Sequence, residues 1–379
     1  LALRELAAVF LKLGATAFGG PAVHIALLEN EVVRRRQWLT HEEFLDLLGA
    51  TNLIPGPNST EMAIHIGLRR AGWKGLLVAG GCFIIPAFLI TFACAWFYVH
   101  YARLPQLQGV LYGVKPVVLA IVAQALWRLG RSALKTRLAI GVALAALAAS
   151  LLGVHELIVL LGAGVVSPLF RGAAVRLSHK PPTISMLALP PLLPLGLVTP
   201  ATTAAAGSVG LLPLFLFFLK VGAVLYGSGY VLLAFLRGDL VERWGWLTQS
   251  QLLDAVAIGQ ITPGPLFTTA TFIGYVLAGP AGAVLATTGM FLPAFVFVAI
   301  SAPLLPRLRK SKIASAFLDG VNAASLALMA AVTLQLLGGA FVDAITILLG
   351  VASLALLLLA RMNPIWLILV AGGIGLIFH

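Results

Sequence analysis

The stretch Thr51-Asn52-Leu53-Ile54-Pro55-Gly56-Pro57-Asn58-Ser59-Thr60-Glu61 decides how this chain is read. Pro55 and Pro57 each lack an amide hydrogen, and each disfavours helix in the residue before it. Gly56 between them lets backbone or a ligand approach closely. A helix therefore stops near Asn52, and Pro57 suits the first position of a new one. Upstream, Thr40-His41-Glu42-Glu43 has the pattern of a capping box, in which threonine and glutamate satisfy each other's backbone amides. The segment predicts a helix, a Pro-Gly-Pro break and a second helix.

The same pattern returns 208 residues later as Thr248-Gln249-Ser250-Gln251 and Pro263-Gly264-Pro265. Around it, Phe10-Leu11-Lys12-Leu13-Gly14 returns as Phe218-Leu219-Lys220-Val221-Gly222, Trp38 as Trp246 and Asp46 as Asp254. One residue is then lost, so that Gly72-x-x-Gly75 and Pro86-Ala87-Phe88 return at an offset of 207. The chain reads as two homologous halves, 1–170 and 210–379, joined by a Pro-rich linker at 171–209.

Composition gives the solvent. Of 379 residues, 60% are apolar and 10% charged, with mean hydropathy +1.03. A soluble domain has about 25% charged residues, so a soluble globule, a disordered chain and a nucleic-acid binder are all disfavoured. Apolar blocks lie at about 5–30, 43–68, 75–101, 108–128, 138–153 and 156–170, then 209–236, 250–274, 283–306, 315–336, 343–360 and 364–379. Only helices fit, because lipid offers backbone groups no partners. Cys82 and Cys94 share one apolar block and read as inert thiols. The sequence starts at Leu1, so a short native tail is expected before it.

Charge orients the halves. In the first, Lys and Arg gather at 34–36, 69–74 and 128–137; in the second, the counterpart of 128–137 has none, and the cations fall at 307–312. Cationic loops mark the cytoplasmic side. The expected fold is an all-α polytopic membrane protein whose halves form an inverted-topology repeat. Inversion needs an odd number of crossings per half, which holds if 43–68 and 250–274 are re-entrant broken hairpins beside about five crossings each. A rival count makes them full spans and adds a crossing in 181–208.

The breaks are the candidate site. Amides near Asn58, Ser59 and Thr60 begin a half-helix with no internal partners, and with the helix dipole they suit an anion. Thr268 and Thr269 follow the second break. The competing reading is a tight kink; two copies in opposed halves favour a site. Lys12 and Lys220 lie inside apolar segments, where a lysine costs several kcal/mol unless paired, hydrated or snorkelling; snorkelling is the rival reading for both. With the half-helix amides, two lysines would suit a small dianion. Gly19 and Gly20, and Gly227 and Ser228, interrupt the first helix of each half; they would line the site or serve close packing. Glu61 caps its helix or relays a proton, and Asp46 and Asp254 pair with the lysines or face water. No metal signature, nucleotide loop or Ser-His-Asp spacing is present, so neither a cofactor nor an enzymatic reaction is expected.

In Phe18-Gly19-Gly20-Pro21, Asn52-x-x-Pro55-Gly56-Pro57, Gly67 with Gly72-x-x-Gly75, and Pro86, the chain resembles the chromate ion transporter family in its long, two-domain form. The resemblance covers both halves. It departs in the second, where Gly227-Ser228-Gly229 stands for Gly-Gly-Pro and Gln260 for Asn52. It implies a prokaryotic inner-membrane protein that exports chromate, with a relation to sulfate transport. Asn52, Gly56, Gln260 and Gly264 then join the expected binding residues. The expected partners are a small inorganic oxyanion, the bilayer and, optionally, a second copy as a homodimer. A sulfate or molybdate importer, an anion channel and a membrane enzyme are the alternatives, in that order.

Overall fold

The computed structural model describes residues 2–18, 20–101, 104–176, 209–226, 229–302, 311–360 and 362–378, and among these there are helices and turns but no strand. The first half holds α1 (Ala2–Thr16), α2 (Pro21–Glu29, leading into a wide π-type turn, Asn30–Arg35), α3 (His41–Thr51), α4 (Asn58–Tyr101), α5 (Pro105–Ala133), α6 (Arg137–Leu151) and α7 (Glu156–Arg176). The second holds α8 (Leu211–Val224), α9 (Leu232–Phe235, between a 3-10 turn, Gly229–Val231, and a π-type turn, Leu236–Arg243), α10 (Gln249–Ile261), α11 (Thr269–Ser301), α12 (Lys312–Ala340), α13 (Ala344–Leu359) and α14 (Pro364–Phe378). The blocks read as 5–30 and 209–236 are each broken, at 17–20 and after Val224. α7 runs on to Arg176, so helix extends into the expected linker, whose residues 177–208 lie outside the described ones.

Local chemistry repeats with the sequence. Both capping boxes form, at Thr40 with Glu43 and at Thr248 with Gln251. Thr136 caps α6 through the Ala139 amide, and Asp343 caps α13 through the Thr346 amide. α4 and α11 both fold back at Ala-Gly pairs, Ala71-Gly72 and Ala278-Gly279, where the glycines have φ of 59° and 63°. Gly67 lets the two arms of α4 touch: a Cβ there would lie 2.2 Å from the Gly75 carbonyl oxygen.

α3 and the first arm of α4 make a hairpin, and its open ends are joined by Arg69 and Glu43 at 2.5 Å. Arg36 and Arg70 both reach Glu5, at 2.8 and 3.6 Å, and both lie over the Trp38 ring. The cationic segments around 34–36 and 69–70 therefore share one end of the molecule.

The helices sort into two bodies, each drawn from both halves. In one, α1 packs on α4, α4 on α11 and α11 on α8. In the other, α5 packs on α12, α13 and α14, and α12 on α6 and α7. The bodies join mainly through α9 and α10, which pack on α12, with α10 also on α5; α2 and α3 make no comparable packing with α5 or α12. Phe10, Phe83, Phe218 and Phe272 are fully buried between helices, while Leu77, Leu144, Leu348 and Ile377 stand exposed on the outside. Among the described residues, four helices, Asn58–Tyr101, Pro105–Ala133, Leu266–Ser301 and Ile313–Ala340, are long and apolar enough to cross a bilayer. Shorter ones such as α6 and α14, at 15 residues each, reach about 22 Å against about 30 Å of hydrocarbon.

Candidate functional site

The Pro-Gly-Pro breaks and the first-helix breaks meet crosswise. The Gly56 amide donates to the Leu225 carbonyl (2.8 Å), and the Gly264 amide donates to the Ala17 carbonyl (2.7 Å). Each half thus satisfies the backbone that the other half's break leaves unpaired. Both glycines have positive φ, 138° and 90°. Space is tight: a Cβ at Gly56 would lie 2.3 Å from a Glu61 carboxylate oxygen, and one at Gly264 would lie 2.4 Å from the Ala87 Cβ.

Beside this junction a cavity of about 970 Å³ opens between the two bodies. Its floor holds Phe18, Gly20, Asn52, Ile54, Asn58, Tyr230 and Gln260. One wall is α5, with Gln124, Arg128 and Ser132 one helical turn apart; another is α12, with Asp319, Asn322 and Ser325; Lys135, Thr136 and Asn363 line it further out. α2 begins just after Gly20, and α4 begins at Asn58, so two helix N-termini sit at the floor. Asn58 donates to Asn52 (2.7 Å). The Gln260 Nε2 is buried without a hydrogen-bond partner among the described residues. Arg128 is exposed to the cavity and makes no ion pair among the described residues.

The residues singled out from sequence divide. Gly20, Asn52, Asn58 and Gln260 line the cavity. Gly56 and Gly264 do not line it, and their amides are used by the crossed hydrogen bonds. Ser59 is buried 3.4 Å from His24, Thr60 is buried, and the Thr268 and Thr269 hydroxyls bond back to the Pro265 and Leu266 carbonyls. Gly19, Gly227 and Ser228 lie outside the described residues.

The structure does not bring the two lysines to the cavity. Lys12 is on the exposed face of α1. Lys220 reaches Asp239 at 2.6 Å, beside the rings of Phe217 and Trp244. Asp239 is also held by Arg243, which reaches Glu156 (3.6 Å) and His155 (3.2 Å). Ligand atoms of His155, Glu156 and Asp239 lie within 4.8 Å of one another, but Lys220 and Arg243 already engage both oxygens of Asp239. Among the described residues, the cations that line the cavity are Arg128 and Lys135.

Among the acids, Asp46 is exposed on α3. Asp254 pairs with Lys115 (3.0 Å) and accepts from Tyr98 (2.9 Å), so its partner is neither of the expected lysines. Glu61 is fully buried, and neither carboxylate oxygen has a hydrogen-bond partner among the described residues.

Sequence reading missed Arg128 and Tyr230 as site residues. Arg128 reads as one more loop cation, because it closes an apolar block. The overlooked signal is the spacing Gln124, Arg128, Ser132, which puts three polar residues on one helical face. Nothing local marks Tyr230.

Residues 4–167 and 212–376 each match the family described as Chromate transporter. The chain is 34% identical to a probable chromate transport protein of Synechococcus elongatus, over 99% of this chain and 95% of that one. It is 31% identical to the chromate transport protein of Cupriavidus metallidurans, over 100% and 93% of the two chains. For the chromate transport protein of Pseudomonas aeruginosa the identity is 35%, over 88% and 80%. No solved structure matches the chain. From the family match over both halves, these relatives and its apolar helices, the chain belongs to the chromate transporter family and is a multi-pass membrane protein.

Proposed function

We propose that this protein exports chromate across a bacterial inner membrane by alternating access, with the oxyanion held at the floor of the cavity. The observation that carries this reading is a roomy polar cavity ending on the crossed helix breaks, with Arg128 in its wall and two helix N-termini at its floor. A guanidinium forms short, charge-assisted hydrogen bonds to an oxyanion. Asn52, Asn58, Tyr230 and Gln260 add neutral polar groups. Lys135 at the mouth attracts anions. Charge balance falls to Arg128 and Lys135 rather than to Lys12 and Lys220.

Charge supports loading from the cytoplasm. The mouth is lined by Lys135 and Thr136, in the cation-rich segment 128–137 assigned to the cytoplasm. Lys115, Asp254 and Tyr98, none of which lines the cavity, link α5, α10 and α4. This is an inward-open arrangement, ready to load from the cytoplasm. The crossed hydrogen bonds, with residue 17 matching 225 and 56 matching 264, support a two-fold relation between halves; with the loop charges they support inverted orientation. The Arg69–Glu43 pair supports a hairpin that enters and leaves on one side. Energy would come from an ion gradient or exchange.

Tracer chromate movement in proteoliposomes tests the reading, with sulfate as competitor and an imposed proton gradient. Saturable chromate movement is expected. Equal competition by sulfate would widen the substrate class, and conductance without saturation would replace the transporter by a channel.

A further inference from the structure

The two halves hold matching residues in different arrangements. In the second, Arg237 donates to the Gln335 side chain on α12 (2.5 Å), and Gln249, at the start of α10, donates to the Gln335 carbonyl (3.1 Å). α12 is thereby closed onto the α9–α10 unit. The first-half residues at these positions are Glu29, Arg128 and His41, at offsets of 208, 207 and 208. Helix bounds support the register, since α5 (Pro105–Ala133) and α12 (Lys312–Ala340) match end to end at 207. Glu29 and His41 do meet, at 3.2 Å. Arg128 does not join them; it lines the cavity that separates α5 from α2 and α3.

We infer that Glu29 is the alternative partner of Arg128: when the first half takes the arrangement now held by the second, Arg128 leaves the oxyanion and pairs with Glu29, closing the cavity. This rests on the transport reading and deepens it. In inverted-repeat carriers, exchanging the arrangements of the two halves moves access from one side to the other. The contact formed on closing would be stronger than its present counterpart. Arg237 pairs with Glu242 on its own segment and meets only a neutral amide on α12, whereas Arg128 would meet a carboxylate across the closing gap. A carboxylate and an oxyanion compete for one guanidinium. Closure then displaces the substrate from Arg128 toward the far side, and bound substrate holds the cavity open. A ligand shifts such an equilibrium only through this difference in affinity between states.

Two arms test this. In a background with Cys82 and Cys94 changed to Ala, Glu29→Cys with Arg128→Cys should be joined by a short bifunctional thiol reagent in proteoliposomes without chromate. Arg237→Cys with Gln335→Cys, which touch in this structure, is the positive control. In the second arm, Glu29→Gln should tighten chromate binding in equilibrium dialysis threefold or more, because the competitor is gone. Glu29→Arg should also tighten binding threefold or more, since the competitor is gone and the closed state is repelled, and should slow exchange tenfold or more. No cross-link at 29 and 128 while the control reacts would overturn the inference, as would wild-type binding and exchange in both variants. Failure of the wild type to move chromate would instead remove the transport reading, and the cross-link would still report the closure.

Discussion

The Gly264 amide donates to the Ala17 carbonyl at 2.7 Å, and its mirror, Gly56 to Leu225, stands at 2.8 Å. A broken helix in a membrane leaves polar backbone groups that lipid cannot serve, at several kcal/mol each. Here the break in one half serves the break in the other. The same crossing fixes the floor of the cavity, so the feature that keeps the breaks stable also positions the site.

Gly264→Ala should therefore damage the fold. Its φ of 90° costs an L-residue about 1–2 kcal/mol, and the new Cβ would meet the Ala87 Cβ at 2.4 Å. Size-exclusion of detergent-solubilised protein should show loss of the monodisperse peak. Adding Ala87→Gly should recover part of it, since the clashing atom is gone. No recovery would place the defect in the backbone strain alone.

Arg128→Ala should weaken chromate binding tenfold or more, in keeping with about 1.5–3 kcal/mol for hydrogen bonds to a charged group. Lys12→Ala, on the exposed face of α1, should leave binding within twofold. Equilibrium dialysis with labelled chromate reads both. The reverse result would return the charge-balancing role to the lysine.

Glu61 offers a test of proton coupling. An unpartnered carboxylate in a dry interior is strongly destabilising, and a bound proton removes the charge. Glu61→Gln keeps the shape and the neutrality, so the thermal midpoint should hold or rise. If the side chain relays a proton, the same variant should lose the effect of a pH gradient on chromate movement. An undiminished gradient effect would leave Glu61 as a packing residue.

Asp254→Ala removes one partner of the pair with Lys115; the Asp254 side chain is only 4% exposed. Breaking a buried pair on one side costs about 3–5 kcal/mol. Thermal unfolding should show this loss, and Lys115→Met with Asp254→Leu should regain most of it. An unchanged midpoint for Asp254→Ala would mean the packing of α10 on α5 does not depend on the pair.

Asp343 makes the stability pH-dependent at a known place. The Thr346 amide, then the Tyr112 hydroxyl, hold its carboxyl below the usual range. A depressed folded value means the contribution is present above the unfolded value, near 4 for aspartate, and is lost as pH falls through the folded one. The midpoint gap between wild type and Asp343→Asn should be open at pH 7 and shrink in acid. A gap constant with pH would remove the charge from the cap.

The sequence alone determined the helices, their caps, their breaks and the repeat. These depend on each residue's own backbone chemistry: the missing amide of proline, the positive φ of Gly56 and Gly264, the reciprocal bonds from Thr40 and Thr248. The tertiary structure alone decided which polar side chains share the cavity. Lys12 and Lys220 hold equivalent positions, yet one is exposed and the other is bound by Asp239. Arg128 and Tyr230 come from segments of different halves and meet at one cavity only because the two bodies pack as they do. Local preference acts over neighbouring residues, whereas a cavity is the space left between helices far apart in the chain, and no local pattern encodes it.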